Sequence, residues 1–212
     1  MRFKDGREAG GALASKLTAY AGRDGAVVVA VASGGVAVAA EVSKRLALPL
    51  DLVIISRLLV PRTPDDPLCA ANAAGTFFLD EGLDSHAARE PVFANYLAQA
   101  LAELEERARA CRGDRPALDL SGKTVLLVDN GVRTGSTLRV AARAVRSTQP
   151  ARVVACAPVA DAATLDDMKE TFDDFVHLAS PEPFGHVGVW YADFARPRDE
   201  EIRAMLEERE RG

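Results

Sequence analysis

Residues 125–137 read V-L-L-V-D-N-G-V-R-T-G-S-T, an apolar run that ends in an acid and gives way to a turn of small and hydroxyl-bearing residues. A helical pattern follows over residues 138–146. That order describes a buried strand that delivers the chain to a tight turn, where backbone N–H groups at the start of the next helix converge on an anion. Asp129 would stand at the strand's end, where open α/β sheets bind their ligands. A carboxylate beside a phosphate cradle calls for sugar hydroxyls or a magnesium ion as its partner.

On either side of this stretch the chain repeats the same alternation. Apolar, β-branched runs occur at Ala26–Ala32, 52–55, Thr124–Val128, 152–158 and 175–179, with a weaker one at Thr76–Leu79. Helix-length patterns lie at 7–20, Val36–Leu46, Ser136–Arg146 and 162–169. Strands that are apolar nearly throughout, alternating with helices, predict an α/β fold: an open, mainly parallel sheet with helices on both faces. Residues 57–84 hold Pro61, Pro64 and Pro67 and read as a long excursion or a short hairpin in place of a crossover helix. A long helical pattern then spans 85–111, and its charged end, A-E-L-E-E-R-A-R-A, reads as a solvated face. The expected organisation is one domain over residues 1–212, with 57–121 as an excursion or hood and 181–212 as a C-terminal lid.

Composition bounds the function. The 212 residues are 48% hydrophobic and 27% charged, as in ordinary globular chains. A formal charge of −5 argues against a broad nucleic-acid-binding face, since such binding depends on neutralising many phosphates. Cys69, Cys111 and Cys156 are too widely spaced for a zinc site, and His86, His177 and His186 form no close ligand pair, so all six read as structural or surface residues. With no apolar run as long as a membrane span and no secretory pattern at the N-terminus, the expected compartment is the cytoplasm and no membrane partner is expected.

Spacing excludes two common phosphate motifs. Gly122-Lys123-Thr124 precedes its strand, with Ala117 in the place of the first Walker glycine, and Gly131 and Gly135 contain no G-x-G pair. Residues 125–137 do resemble the phosphoribosyl pyrophosphate (PRPP) signature of the type I phosphoribosyltransferases, which has four apolar residues, two acids, two variable positions and a T-G-x-T-like phosphate loop. Here Asn130 stands in place of the second acid. Three further segments are similar to stand-alone bacterial members of that family: R-F-K-D-G-R-E-A-G at the start, V-A-S-G-G-V-A-V-A at the first loop, and E-P-F-G-H-V-G-V-W-Y-A-D-F near the end. The resemblance covers essentially the whole chain.

The resemblance implies a role for each segment. Asp129 and Asn130 would hold the ribose hydroxyls as the catalytic pair, and Gly131, Arg133, Thr134, Gly135, Ser136 and Thr137 would cradle the 5-phosphate. Ser33, Gly34 and Gly35 would form the pyrophosphate loop, with Arg57 approaching from the neighbouring strand end. Many stand-alone members carry an arginine at the position of Ser33, so this loop lacks a charge beside the leaving group. Arg133 occupies the position of the carboxylate that assists the base in purine-salvage relatives. Trp190 and Tyr191 are candidates for stacking on the acceptor, and Asp129 and Asp193 for holding Mg2+. The implied reaction transfers ribose 5-phosphate from PRPP to a nucleobase or other small nitrogen nucleophile, and a homodimer is compatible with the wider family.

Two other functions compete. Asn130 brings no negative charge to a developing ribosyl cation, and loss of one well-placed electrostatic contact costs about 3 kcal/mol in a transition state. With Asn130 and Ser33 both departing from the pattern, the alternative is a catalytically weakened PRPP or nucleotide sensor. A serine hydrolase built on Ser33 ranks below both, because Val31 stands where the nucleophile elbow needs glycine and no acid–histidine pair is evident.

Overall fold

The computed structural model describes residues 1–58, 68–73, 76–79 and 91–210. Side chains are not described for 57–58, 68–73, 76–79, 91–94, 96 and 210. Among the described residues seven strands form one sheet: β1 (Ala26–Ala32), β2 (Leu50–Leu58), β3 (Leu68–Ala73), β4 (Thr76–Leu79), β5 (Thr124–Val128), β6 (Arg152–Val159) and β7 (Asp174–Ala179). Their spatial order is β4-β3-β2-β1-β5-β6-β7. The five strands from β2 to β7 across β1 run parallel, while β3 and β4 add antiparallel to the β2 edge.

Helices α1 (Gly6–Ala14), α2 (Val36–Leu46), α3 (Pro91–Arg112), α4 (Ser136–Arg146), α5 (Ala162–Asp167) and α6 (Asp199–Glu210) cover the sheet. Successive strand residues point to opposite faces, so the all-apolar strands supply two cores at once. On one face Val28, Ala30, Leu126 and Val128 pack with residues of α1, α2, α3 and α6. On the other, Val27, Val29, Val125 and Leu127 meet α4 through Leu138, Ala141 and Val145. Each fully buried valine or leucine among these contributes roughly 1.5–3 kcal/mol.

Strand order decides where a ligand can bind. After β1 the chain steps to one side through β2, β3 and β4, then returns through α3 to place β5 on the other side of β1. The loops following β1 and β5 therefore diverge from adjacent strands, aligned Ala30 opposite Val128, and leave a crevice at their carboxyl ends.

Several elements differ from the sequence expectation in extent. The pattern over 7–20 ends as α1 at Ala14, where Ser15 caps the helix and bonds back to the Ala12 carbonyl, and a separate 3-10 turn spans Thr18–Tyr20. The helix expected over 162–169 stops at Asp167. The hairpin reading of the excursion matches β3 and β4, while residues 59–67, 74–75 and 80–84 lie outside the described residues. The helix expected from residue 85 is described from Pro91, a residue suited to a first helical turn because its missing N–H needs no partner there. Helix α6 is not among the expected elements. Residues near both ends are joined: Phe3 N–H donates to the Trp190 carbonyl at 2.8 Å, and Ala192 N–H to the Phe3 carbonyl at 2.8 Å.

Candidate active site

Two loops meet at the crevice, and glycine lets them meet. After Ala32 the chain turns through Ser33, Gly34 and Gly35 into α2, with the Ala32–Ser33 peptide cis. A Cβ on Gly35 would lie 2.5 Å from the Val128 carbonyl oxygen and 2.9 Å from Asp129 Cα, too close for any side chain. One on Gly34 would lie 2.7 Å from Asn130 Nδ2. The first loop is thus pressed against the end of β5, and the Asn130 amide lies directly over it.

Asp129 follows the last residue of β5. Its Oδ1 accepts the Asn130 N–H at 2.8 Å, and Tyr191 OH donates to the Asn130 carbonyl at 2.6 Å. Burial pushes the Asp129 carboxyl up to about 6, against the opposing effects of the Asn130 N–H and the Arg196 charge. The phenol of Tyr191 is raised too, first by burial and then by the Asp129 charge.

Beyond Asn130 the loop is fixed from outside. Thr164 donates its hydroxyl to the Arg133 carbonyl, Arg139 donates to the Thr134 carbonyl at 2.7 Å, and Val132 bridges Ala160. Gly135 caps α4 with φ of 72°, and no side chain caps the helix. The amides of its first turn, with the Thr134 and Ser136 hydroxyls 3.2 Å apart beside them, form an anion cradle with no acidic residue in that turn.

A cleft of about 660 Å³ spans both loops. Ser33 and Gly34 line it, as do Asp129, Asn130, Gly131 and the loop from Arg133 to Thr137, so the two expected loops come together. Gly35 stands behind them against β5. The side chain of Arg57 lies outside the described residues.

The C-terminal candidates are placed differently. Trp190 packs on the core and donates its indole N–H to the Phe184 carbonyl at 3.0 Å, and Tyr191 is 2% exposed. Neither is among the cleft-lining residues, where His186, Val187, Gly188 and Phe194 represent this segment. Asp193 is also absent from the lining and accepts the Ala195 N–H at 3.0 Å.

Sequence reasoning missed Ile55, Arg107, His186 and Arg196, which also line the cleft. Arg107 had a readable signal. With Ala100, Leu104 and Cys111 it falls at spacings of four, three and four, the rhythm of a buried helical stripe, which makes it a cation on the core-facing side of α3. Among the described lining residues Arg107, Arg133 and Arg196 accompany a single carboxylate, Asp129, so this lining is locally positive within a chain of net charge −5. Such a cleft suits a ligand bearing several anionic groups. Among the described residues no group of three or more His, Cys, Asp or Glu side chains clusters to hold a metal.

Residues 3–189 match the family model for the phosphoribosyl transferase domain. The chain belongs to the phosphoribosyltransferase family. The chain is 33% identical over 211 residues to two Mycobacterium tuberculosis proteins, from strains CDC 1551 / Oshkosh and H37Rv, each provisionally named a phosphoribosyl transferase. The match covers 97% of the chain but 46% of each relative, so the chain spans about half the length of the curated proteins it matches. The crystal structure of TT1426 from Thermus thermophilus is 34% identical, superposes with a TM-score of 0.80, and is covered over 98% of this chain and 99% of that one. The phosphoribosyltransferase fold is the type I α/β arrangement expected from the sequence. No described helix is long and apolar enough to cross a membrane.

Proposed function

We propose that the chain binds PRPP and transfers its ribose 5-phosphate group to a nucleobase or other small nitrogen nucleophile, releasing pyrophosphate. The observation that carries this reading is the pairing of two donor-rich loops at the ends of adjacent strands β1 and β5, in a cleft whose described lining includes Arg107, Arg133, Arg196 and Asp129. A ligand with phosphate at one end, pyrophosphate at the other and a hydroxyl-bearing ring between them matches that spacing of donors. The α4 N-terminus with Arg133, Thr134, Ser136 and Thr137 takes the 5-phosphate. Asp129 accepts from a ribose hydroxyl, the Asn130 amide bonds its neighbour, and Ser33 with the loop amides takes the pyrophosphate.

As the bond to pyrophosphate loosens, the ribose gains positive charge and the leaving group gains negative charge. Asp129 faces the first, and the loop donors face the second. Among the described residues Asp129 and the adjacent amide fit a magnesium ion that draws most of its ligands from the substrate's own oxygens, as this ion commonly does, and not an all-protein cage. When bound, the ion would neutralise leaving-group charge, with Asp129 as the protein's carboxylate. Phe194, whose ring centroid lies 5.3 Å from that of Tyr191, offers the acceptor an aromatic wall, with Val187 beside it. Tyr191 then acts from behind that wall.

One observation favours a second reading, a PRPP-responsive binding protein: where the resemblance expects two adjacent acids, the chain has Asp129 followed by Asn130. The two separate by calorimetric titration with PRPP and Mg2+ and then a pyrophosphate-release assay over nucleobases and small amines. The transferase reading expects saturable binding and release with at least one acceptor. Binding without release for any acceptor supports the sensor, and absence of saturable binding overturns both.

A further inference from the structure

The Ser33 loop carries no charged side chain of its own, yet a cation reaches it from another element. Arg107 Nη2 lies 3.3 Å from Ser33 Oγ, although 74 residues separate them. Its Nε donates to Asp199 Oδ1 at 3.2 Å, at the first residue of α6. The buried thiol of Cys111, one turn along α3, bonds the same carboxylate and is held protonated, chiefly by burial. The guanidinium is therefore gripped on its Nε edge by Asp199, while an Nη edge lies at the loop and the side chain lines the cleft.

A guanidinium has five N–H donors in a fixed fork, and one bond to Asp199 and one to Ser33 leave others for phosphate oxygens. Its reach is set by rigid parts. Leu104 and Ala108 bury the same face of α3, and α6 is buried through Ile202 and Leu206. Arg133 belongs to the other loop, beside the amides that open α4.

We propose that Arg107 binds the pyrophosphate group of the ligand, supplying from α3 the charge that the Ser33 loop lacks, and that Asp199 is its positioning residue. The proposal rests on the PRPP reading and assigns one end of that ligand. It makes the pyrophosphate subsite depend on contact between α3, α6 and the β1–α2 loop, whereas the 5-phosphate subsite depends on α4.

The test compares the two ends of the ligand, titrating pyrophosphate and ribose 5-phosphate separately into the full chain with Mg2+. Arg107→Gln should weaken pyrophosphate by about tenfold or more while leaving ribose 5-phosphate unchanged, as expected for a lost hydrogen bond to a charged group. Arg107→Lys should retain more pyrophosphate affinity than Arg107→Gln, and Asp199→Asn should lower it with ribose 5-phosphate again unaffected. Ribose 5-phosphate binding reports whether each variant is folded. Unchanged pyrophosphate affinity in Arg107→Gln, equal losses for both ligands, or equal losses in Gln and Lys variants would overturn the assignment and leave the PRPP reading intact. If the unsubstituted chain binds neither ligand, the PRPP reading falls with it.

Discussion

Asp129 carries opposing demands. Its carboxyl is pushed up to about 6 from an ordinary 3.8, mainly by burial, so the folded chain binds a proton there more tightly than the unfolded chain does. Between these values the native state holds more protons, and stability falls as pH rises. The advantage of the protonated form is complete below pH 3.8 and lost once pH passes 6, a difference of about 3 kcal/mol. Asp129→Asn removes the charge but keeps an oxygen to accept the Asn130 N–H. In metal-free urea denaturation it should be more stable than the unsubstituted chain at pH 8, by up to about 3 kcal/mol, and the gain should shrink to below about 1 kcal/mol at pH 4. The same variant should bind PRPP more weakly. Equal stability at pH 8 would mean that burial does not hold the carboxyl up. A residue that costs stability when ionised and sits at a strand end under a donor-rich loop supports the proposed ligand contact, because packing alone would favour a neutral side chain there.

At the scale of elements, the loop into α4 depends on a backbone shape that side chains disfavour. Gly135 has φ of 72°, and a Cβ there would lie 2.7 Å from Met168 Sδ and 3.1 Å from Thr164 Cγ2. Gly135→Ala therefore strains the turn and crowds the contact with α5 at once. It should cost about 1–2 kcal/mol in urea denaturation from the backbone alone, and ribose 5-phosphate affinity should drop further than pyrophosphate affinity, since only the α4 cradle is displaced. An unshifted denaturation midpoint would count against this account of the turn. Much of this element was legible in advance: strand β5, the T-G-S-T turn and α4 declare themselves through apolar periodicity and turn chemistry, which are local signals. The same holds for β1 and α2. What was not legible depends on distant contacts. The reach of Arg107 to Ser33 requires knowing how α3 lies on the sheet. The cleft wall is formed by Phe194 and Val187, with Tyr191 behind them, because Phe3 and Lys4 pair with 190–193 and orient that segment. An aromatic-rich stretch reveals that rings are present, but not which ring faces the ligand.

Over the whole molecule, α3 must be both crossover and carrier of a cleft residue, so its seating on the sheet governs the site. A buried ion pair fixes it. Arg112, at the end of α3, meets Asp51 of β2 at 3.0 Å with their side chains 7% and 6% exposed, and its Nη2 also donates to the Leu52 carbonyl at 2.6 Å. Asp51 in turn accepts the Leu118 N–H at 2.8 Å, tying the connection toward β5 to the same point. Arg112→Met would leave the Asp51 carboxylate buried without its cation, a change that typically costs about 3–5 kcal/mol. Arg109→Met is the matching control, since its bond to Glu105 joins side chains 70% and 52% exposed and its loss should stay within about 0.5 kcal/mol. The two variants remove the same charge from the same helix three residues apart, so a difference between them cannot come from net charge. Urea denaturation checks the stabilities, and pyrophosphate titration under native conditions checks the site. Arg112→Met should lose pyrophosphate affinity while ribose 5-phosphate binding is better preserved, because α4 is seated on the opposite face of the sheet from α3. Equal weakening of both ligands would mean that the pair holds the sheet as a whole and does not specifically aim Arg107 at the loop.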